Sequence, residues 1–487
     1  MAENKITRRF FIGGASAFGA FSGCRFFSAG SDFCEGKKPR LRFGVASDVH
    51  ICFGRNIDYF KKMLEDFRDR KVDAVMICGD IVDLGMVSDL ELIASTWESV
   101  FPGNRAPDGR HVEKIFVTGN HDWVGHTYGN RAKKLYANQE DFAKNILCSD
   151  IKSHWQRIFN EPFSPVYMKD VKGYKFVGAH WLKNDCNGKC EDFNDEIKSF
   201  YDSHARDFDP SLPFFHAQHP HPKNSCYGPW AWGRDNGVTT EILSKYPNAV
   251  AFSGHSHYSL TDERSIWQGA FTSIGTSSLS YTGLMTDKYP GEYENGPKPK
   301  NKVRFMRGFD TIDGKQAMIV SVYDDKIVIN RREYFTGQSL GDDWVMPLPA
   351  AESKPFAYAK RAKTQRAPEF PANSKVVASK VKHLVKLSKD DKGRYEDAYT
   401  VKFPAAESSS SLRAREYTVT FTGSDGNKLT RRILSPAFHL PITSPAIKAD
   451  VDCIFVASML PKPPLKVEVR PLSCFEKAGR AISTVIA

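Results

Sequence analysis

Beyond its first thirty or so residues the chain has no apolar run approaching the roughly 20 residues that a spanning helix needs, so no membrane-spanning helix is expected in the mature protein. Paired cysteines are also lacking. The ten cysteines are dispersed and no Cys-x-x-Cys unit occurs, which argues against a four-cysteine zinc site. Positive charge is present but not gathered: a formal charge of +11 is spread along the sequence with no accompanying recognition motif, which speaks against specific nucleic-acid binding. Such a surface still favours anionic partners by long-range attraction. The remaining composition, 41% hydrophobic and 26% charged, is that of a globular protein.

A chain of 487 residues is too long for one ordinary core, so two domains plus processing segments are expected. Residues 1–38 read as an address and tether. Lys5-Ile-Thr7-Arg8-Arg9-Phe10 places paired arginines before a modest apolar stretch, Phe10 to Phe21, and resembles a twin-arginine export signal. The expected location is periplasmic or at the cell surface. Phe21-Ser22-Gly23-Cys24 is similar to a lipoprotein cleavage box with Phe in place of Leu, which would make Cys24 a membrane tether. Ordinary cleavage nearby, with Cys24 discarded, is the alternative. In an oxidising compartment Cys186 and Cys190 are close enough for a local bridge. Cys78, inside an apolar run, reads as a buried small hydrophobe.

Periodicity then places strands and helices in alternation. Leu41 to Ala46, Val72 to Cys78 and Ile115 to Thr118 read as buried strands. Between them Ile57, Phe60, Met63, Leu64 and Phe67 recur at helical spacing, and a second helix is expected from Ser88, with Glu91 completing a capping box. Lys175 to Ala179, Pro213 to Gln218 and Ala249 to Ser253 are further strands, and Ala317 to Val322 with Lys326 to Arg331 read as a closing hairpin. This is an α/β layered sheet, spanning 39–335. Residues 336–372, rich in Pro, Ala and Lys over Met346 to Pro371, read as a linker. From 373 to 487 short alternating strands take over, including a hairpin at Glu416 to Leu434 around Gly423-Ser-Asp425-Gly426. They predict a small all-β sandwich of immunoglobulin-like or fibronectin-like type. Packing against the first domain is its expected role.

Five short blocks fall where these strands stop: Asp48-Val-His50, Gly79-Asp80-Ile-Val-Asp83, Gly119-Asn120-His121-Asp122, His219-Pro-His221 and Gly254-His255-Ser-His257. Each alone is common. Together they supply the hard and borderline donors, about seven in number, that two neighbouring cations need, one of them bridging. A carboxylate suits the bridge because its charge offsets repulsion between the ions, and Asp80 is assigned there. Asp48, His50 and His257 would complete one metal; Asn120, His219 and His255 would complete the other. In the fourth block His216 and His221 flank the residue chosen. His219 is preferred because it stands where the apolar run Pro213 to Ala217 ends, which delivers its side chain to the sheet edge.

With these blocks in this order, residues 40 to 335 resemble the calcineurin-like metallophosphoesterase family. The resemblance implies a four-layer α/β/β/α sandwich, a dinuclear centre of Fe, Mn or Zn, and hydrolysis of phosphate mono- or diesters through attack by a metal-bridging hydroxide. His121 then stands at the family position beside the phosphate, where a non-ligand imidazole can assist the leaving group. Asp83 stands where purple acid phosphatases carry a tyrosine ligand, which argues against a purple-type centre. It reads instead as a carboxylate orienting a neighbouring ligand. His180 at a strand end reads as structural.

For substrate contacts, Trp230 and Trp232, with Trp123, His126, Tyr128, Tyr227 and Asp235, lie on loops after strand ends, where aromatics stack on a base or sugar or else pack the loops. The expected partner is a phosphorylated small molecule or a phosphodiester. Two other readings compete: a surface or polymer binding protein that keeps the fold without turnover, and a nucleotidase-type phosphomonoesterase. The ligand set with His121 favours the enzyme, and the short C-terminal domain is unlike a nucleotidase's larger substrate domain.

Overall fold

The computed structural model describes residues 38–123, 139–182, 194–227, 235–284, 309–311, 314–385, 392–409, 412–435 and 438–487. The export segment, Cys186 and Cys190, and the loop residues His126, Tyr128, Trp230 and Trp232 lie outside these.

In chain order the first strands are β1 (Leu41–Ala46), β2 (Ala74–Cys78), β3 (Glu113–Val117), β4 (Val166–Val171), β5 (Tyr174–Ala179), β6 (Phe214–Ala217) and β7 (Ala249–Ser253). There follow β8 (Ile266–Gln268), β9 (Thr272–Gly275), β10 (Thr282–Leu284), β11 (Phe309–Thr311), β12 (Gln316–Val322), β13 (Lys326–Glu333), β14 (Gln338–Ser339) and β15 (Trp344–Pro347). One sheet runs β14-β13-β12-β1-β2-β3, with β15 also on β13; a second runs β4-β5-β6-β7-β9-β8. Neighbours β1, β2 and β3 are parallel, as are β5, β6, β7 and β9. Parallel strands covered on both faces need near-continuous apolar sequence. β2 and β7 have it, and every residue of each is buried.

The two sheets stack face to face. Phe43, Val45 and Met76 of the first meet Phe176, Phe215 and Phe252 of the second in one core. The helices Ile57–Asp69 and Val87–Val100 cover the outer face of the first sheet through Phe60, Phe67, Ile93 and Trp97. Asn194–Ser203 and Val238–Leu243 cover the second through Ile197, Tyr201, Ile242 and Leu243. This is the α/β/β/α sandwich, and its parallel strands all end at one edge.

Ser88 does not cap its helix. Extended pairing of Met86 with Ile146 fixes the entry, so the helix begins at Val87 with Met86 as its N-cap. Asp89 is the polar side chain used at that end, accepting the Phe53 N–H at 3.3 Å.

The stretch expected as a linker contributes to the first sheet. β15 pairs with β13 in register Ile329↔Trp344 to Lys326↔Pro347, and a short helix, Tyr358–Thr364, follows. Beyond it lie β16 (Val377–Val385), β17 (Arg394–Pro404), β18 (Glu416–Thr422), β19 (Lys428–Leu434), β20 (Asp450–Val456), β21 (Leu465–Leu472) and β22 (Ile482–Ile486). They form two sheets, β16-β17-β20 and β19-β18-β21-β22, closed on a core that includes Val401, Phe403, Tyr417, Phe421, Phe455 and Val467. This is the all-β sandwich. Among the described residues no helix is long and apolar enough to cross a membrane, and Cys78 is a buried free thiol.

Candidate metal centre

Five strand ends of the two stacked sheets deliver one set of side chains. Asp48 and His50 follow β1, Asp80 follows β2, and Asn120 and His121 follow β3 from the first sheet; His219 follows β6, and His255 and His257 follow β7 from the second. The loops are tied to one another by backbone hydrogen bonds: Asp48 N–H to Gly79 O at 3.0 Å, His50 N–H to Asp80 O at 3.0 Å, and Gly254 N–H to His219 O at 2.9 Å. Asp48, His50, Asp80, His255 and His257 all hold positive φ, between 47° and 70°. A left-handed backbone at a non-glycine residue is uncommon and persists where surrounding contacts enforce it, typically at functional sites. Five such residues within one donor set mark the place independently of any motif.

Beside a third group, His50, Asp83 and His121, two groups of donors share a carboxylate. Asp48, His50, Asp80 and His257 form one; Asp80, His219 and His255 form the other, the donor atoms of each lying within 4.8 Å of one another. Asp80 belongs to both. Its Oδ2 lies 3.6 Å from His50 Nε2 and 3.2 Å from His219 Nε2, so one carboxylate oxygen faces both halves. Asn120 Oδ1 lies 3.1 Å from His219 Nε2, and His257 Nε2 lies 2.9 Å from Asp48 Oδ1.

The second nitrogen of three of these rings is spoken for. His257 Nδ1 donates to Tyr281 O at 3.0 Å, His219 Nδ1 to Cys78 O at 2.9 Å, and His50 Nδ1 to Asp83 Oδ1 at 3.1 Å. In the neutral rings those bonds leave the lone pair on Nε2 in each case. The lone pairs then point at carboxylate oxygens and at each other, with His50 Nε2 and His257 Nε2 3.1 Å apart. Electron pairs so arranged repel unless a cation lies among them, so the donor set fits divalent or trivalent metal ions. The titration behaviour reports the same negative field. Burial works against a charge on His50, yet hydrogen bonds to Asp48 and Asp83 and the Asp80 charge lift its pKa to about 10. His219 is likewise raised against burial, chiefly by Asp80, to about 9. Asp48 and Asp80 are held well below the usual carboxylate range: burial opposes ionisation, and the surrounding imidazoles outweigh it.

His121 occupies a different place. Its backbone N–H donates to Asp80 Oδ1 at 2.8 Å, and its ring meets that of His50 edge-on at 4.6 Å. Nδ1 donates to Asp83 O at 2.9 Å and lies 3.3 Å from Asp83 Oδ1. Burial disfavours its charged form, but Asp80 and Asp83 raise its pKa. Asp83 thus touches both His50 and His121 and orients them.

Of the three histidines in the fourth block, His219 is the one placed among the donors. His216 faces the outer helix layer, with Nδ1 2.9 Å from Tyr201 Oη and Nε2 3.0 Å from Gln218 Oε1. His221 bridges Ser253 Oγ and Ser256 Oγ at 2.7 Å each, bracing the loop that carries His255 and His257. His180 is buried among Trp155, Phe163 and Tyr167 and accepts the Thr118 N–H at 3.1 Å, a structural position. Trp123, Tyr227 and Asp235 are buried too: Tyr227 Oη bonds Ser265 Oγ at 2.8 Å, and Asp235 accepts the Lys223 N–H at 2.7 Å.

Three residues near the site escaped the sequence reading. Asp122 is fully buried and accepts the N–H groups of Gly119, Ile81 and Val82 at 2.7, 3.3 and 2.9 Å, stapling the β3 loop to the β2 loop. Burial and the neighbouring Asp80 raise its pKa to about 7. Its place beside His121 in the third block was the available signal. Tyr281 lies with its ring 4.1 Å from that of His257, and Trp181 lies 5.9 Å from both His219 and His255.

A four-layer sandwich with two donor groups sharing one carboxylate at its strand ends is the architecture of a metallophosphoesterase. Residues 41–259 match the family model described as calcineurin-like phosphoesterase, and this part of the chain belongs to that family. Its members are generally hydrolases and typically bind two metal ions. Solved structures of similar fold include a dimetal phosphatase from Danio rerio, 12% identical, covering 64% of this chain and 99% of that one at a TM-score of 0.36. A purple acid phosphatase from yellow lupin seeds is 15% identical and covers 63% of this chain and 53% of its own at 0.37. The GAP50 anchor of the Plasmodium inner membrane complex is 14% identical and covers 63% and 88% at 0.35. A search of curated proteins found no match.

Proposed function

We propose that this chain is an exported phosphoesterase that uses two metal ions to hydrolyse phosphate mono- or diesters. The observation that carries the reading is Asp80 Oδ2, which faces His50 on one side and His219 on the other. Asp80 would hold both ions, Asp48, His50 and His257 would complete one of them, and Asn120, His219 and His255 the other. Bound Fe, Mn or Zn ions would supply Lewis acidity toward a phosphate oxygen and a strongly nucleophilic water at neutral pH. Asn120 is a neutral donor and leaves its side of the site more electrophilic than a second carboxylate would. His121, with its pKa raised by Asp80 and Asp83 against burial, carries a proton or hydrogen bond to the departing oxygen. Asp83 fixes the orientation of that ring. The formal net charge of +11 over the full sequence favours anionic substrates by long-range attraction.

Export rests on the paired arginines Arg8 and Arg9 ahead of a short apolar stretch, and the tether on Cys24. The enzyme reading is favoured over a fold-retaining binding protein because Asp83 and the Asp80 carboxylate hold His121 in place beside the donors.

The test is turnover of aryl phosphomonoesters and phosphodiesters after reconstitution with Mn, Fe or Zn. The wild-type chain is expected to hydrolyse at least one of them, and Asp80→Asn to lose turnover while keeping its fold. A wild-type chain inactive across the panel with all three metals would favour the binding-protein reading.

A further inference from the structure

The C-terminal sandwich meets the first domain along a polar seam that leads to the donor loops. Thr261 Oγ1 donates to Phe438 O at 2.6 Å, and Gln316 Nε2 donates to His439 O at 3.0 Å. The acceptors are consecutive carbonyls of one sandwich segment, Phe438–Leu440. Arg413, itself buried, clamps that segment by donating to Phe438 O and Leu440 O, and its other nitrogen donates to Leu340 O of the first domain at 2.6 Å.

From these two residues the hydrogen bonds continue inward. Thr261 Oγ1 lies 2.8 Å from Ser259 Oγ, two residues after His257. Gln316 Oε1 accepts the Leu260 N–H at 2.8 Å and Ser277 Oγ–H at 3.0 Å, and the Gln316 N–H donates to Ser278 O at 2.8 Å. Ser278 Oγ in turn donates to Asp48 O at 2.9 Å, and the Ser280 N–H reaches the same carbonyl at 3.2 Å. One unbroken buried path therefore joins the sandwich to the loop carrying Asp48 and the loop carrying His257. The same loop continues to His219, through Gly254 N–H to His219 O at 2.9 Å.

We propose that the Phe438–Leu440 segment is a strut that sets the loop of Asp48 and the loop shared by His255 and His257, so that the C-terminal sandwich is a positioning element for the metal centre. The physical reason is the strain in those loops. Asp48 and His257 sit at φ of 50° and 56°, conformations an L side chain adopts only under constraint, and fixed buried hydrogen bonds supply that constraint. Thr261 and Gln316 are then positioning residues that never touch the donors. The inference rests on the two-metal reading for its functional consequence, but the mechanical part stands without it.

Full-length Thr261→Val and Thr261→Ser separate the two. In metal-free protein, hydrogen–deuterium exchange of Thr261→Val is expected to rise roughly fivefold in residues 254–261 and 276–283, the scale set by one lost buried hydrogen bond, and to stay unchanged in 119–123. Thr261→Ser keeps the hydroxyl and should exchange as wild type. Titration with Mn should show roughly 10-fold weaker binding in Thr261→Val and wild-type binding in Thr261→Ser. Exchange unchanged in both loops, or raised equally at 119–123, overturns the strut. If Thr261→Val does not fold, Arg413→Met, which loosens the same segment from the sandwich side, is read by the same exchange pattern. A wild-type chain that binds no Mn would sink the metal reading while the exchange result still decides the strut.

Discussion

His216 and His219 come from the same strand end and meet opposite surroundings. The strand turns His216 outward to Tyr201 and Gln218, and burial lowers its pKa to about 4. His219 turns inward to Asp80 and Asn120. His219→Ala is expected to lose one of the two metals by elemental analysis. His216→Ala should keep both and instead lose roughly 1–3 kcal/mol of stability in urea unfolding, because the Tyr201 hydroxyl is left unpaired. Metal loss from His216→Ala and not from His219→Ala would reassign that ligand. At this scale the sequence was informative wherever a residue follows an apolar run, since the strand dictates where its side chain emerges; that argument singled out Asp48, Asp80 and His219. It was silent on Asp122, whose work is done on the backbone of residues 81 and 82, some forty positions away. It was silent also on Tyr281 and Trp181, because proximity to a ligand ring has no local signature.

Two glycines show how closely the elements approach at the site. A Cβ on Gly254 would run into Ser47 Oγ and Asp48 Oδ2, and one on Gly79, at φ +86°, into the His219 ring. Gly254→Ala is therefore expected to displace Asp48, with lower metal content and a stability cost of roughly 1–3 kcal/mol from overpacking. Wild-type metal content and melting temperature would show that the loops have more room than this. The buried parallel strands β1, β2 and β7 were legible because nearly continuous apolar sequence admits few other structures. The hairpins β12–β13 and β18–β19 were legible too, but two edge strands were not. β15 hides a Trp344 and Met346 inward face beside Pro347 and Pro349, and so resembled a connector. β16 is an edge strand on which most positions stay partly exposed, so no alternation marks it. The helix at Val87 began before its apparent cap because tertiary pairing of Met86 overrode the local signal.

For the whole molecule, buried neutral histidines tie stability to pH. Burial lowers the pKa of His180 to about 3 and of His216 to about 4, below an unfolded value of 6.5. Between those values the unfolded chain binds protons that the folded chain does not. The stability these groups contribute is thus complete above pH 6.5 and falls as the pH drops, by about 1.4 kcal/mol per pH unit for each histidine. Urea unfolding of wild type and His216→Gln in the same metal state between pH 7.5 and 5 should show a shallower slope in the variant; equal slopes would contradict a neutral buried His216. That a layered α/β part is followed by an all-β sandwich was legible from the change in periodicity, whereas the seam between them was not, because its acceptors are main-chain carbonyls that any sequence possesses. The most direct test of the two-metal site is elemental analysis of Mn-reconstituted wild type and Asp80→Asn alongside phosphoester turnover. The proposed function predicts about two ions per wild-type chain with turnover, and none of that turnover in a folded Asp80→Asn chain. A wild-type chain that takes up no ion and hydrolyses neither mono- nor diesters would contradict it.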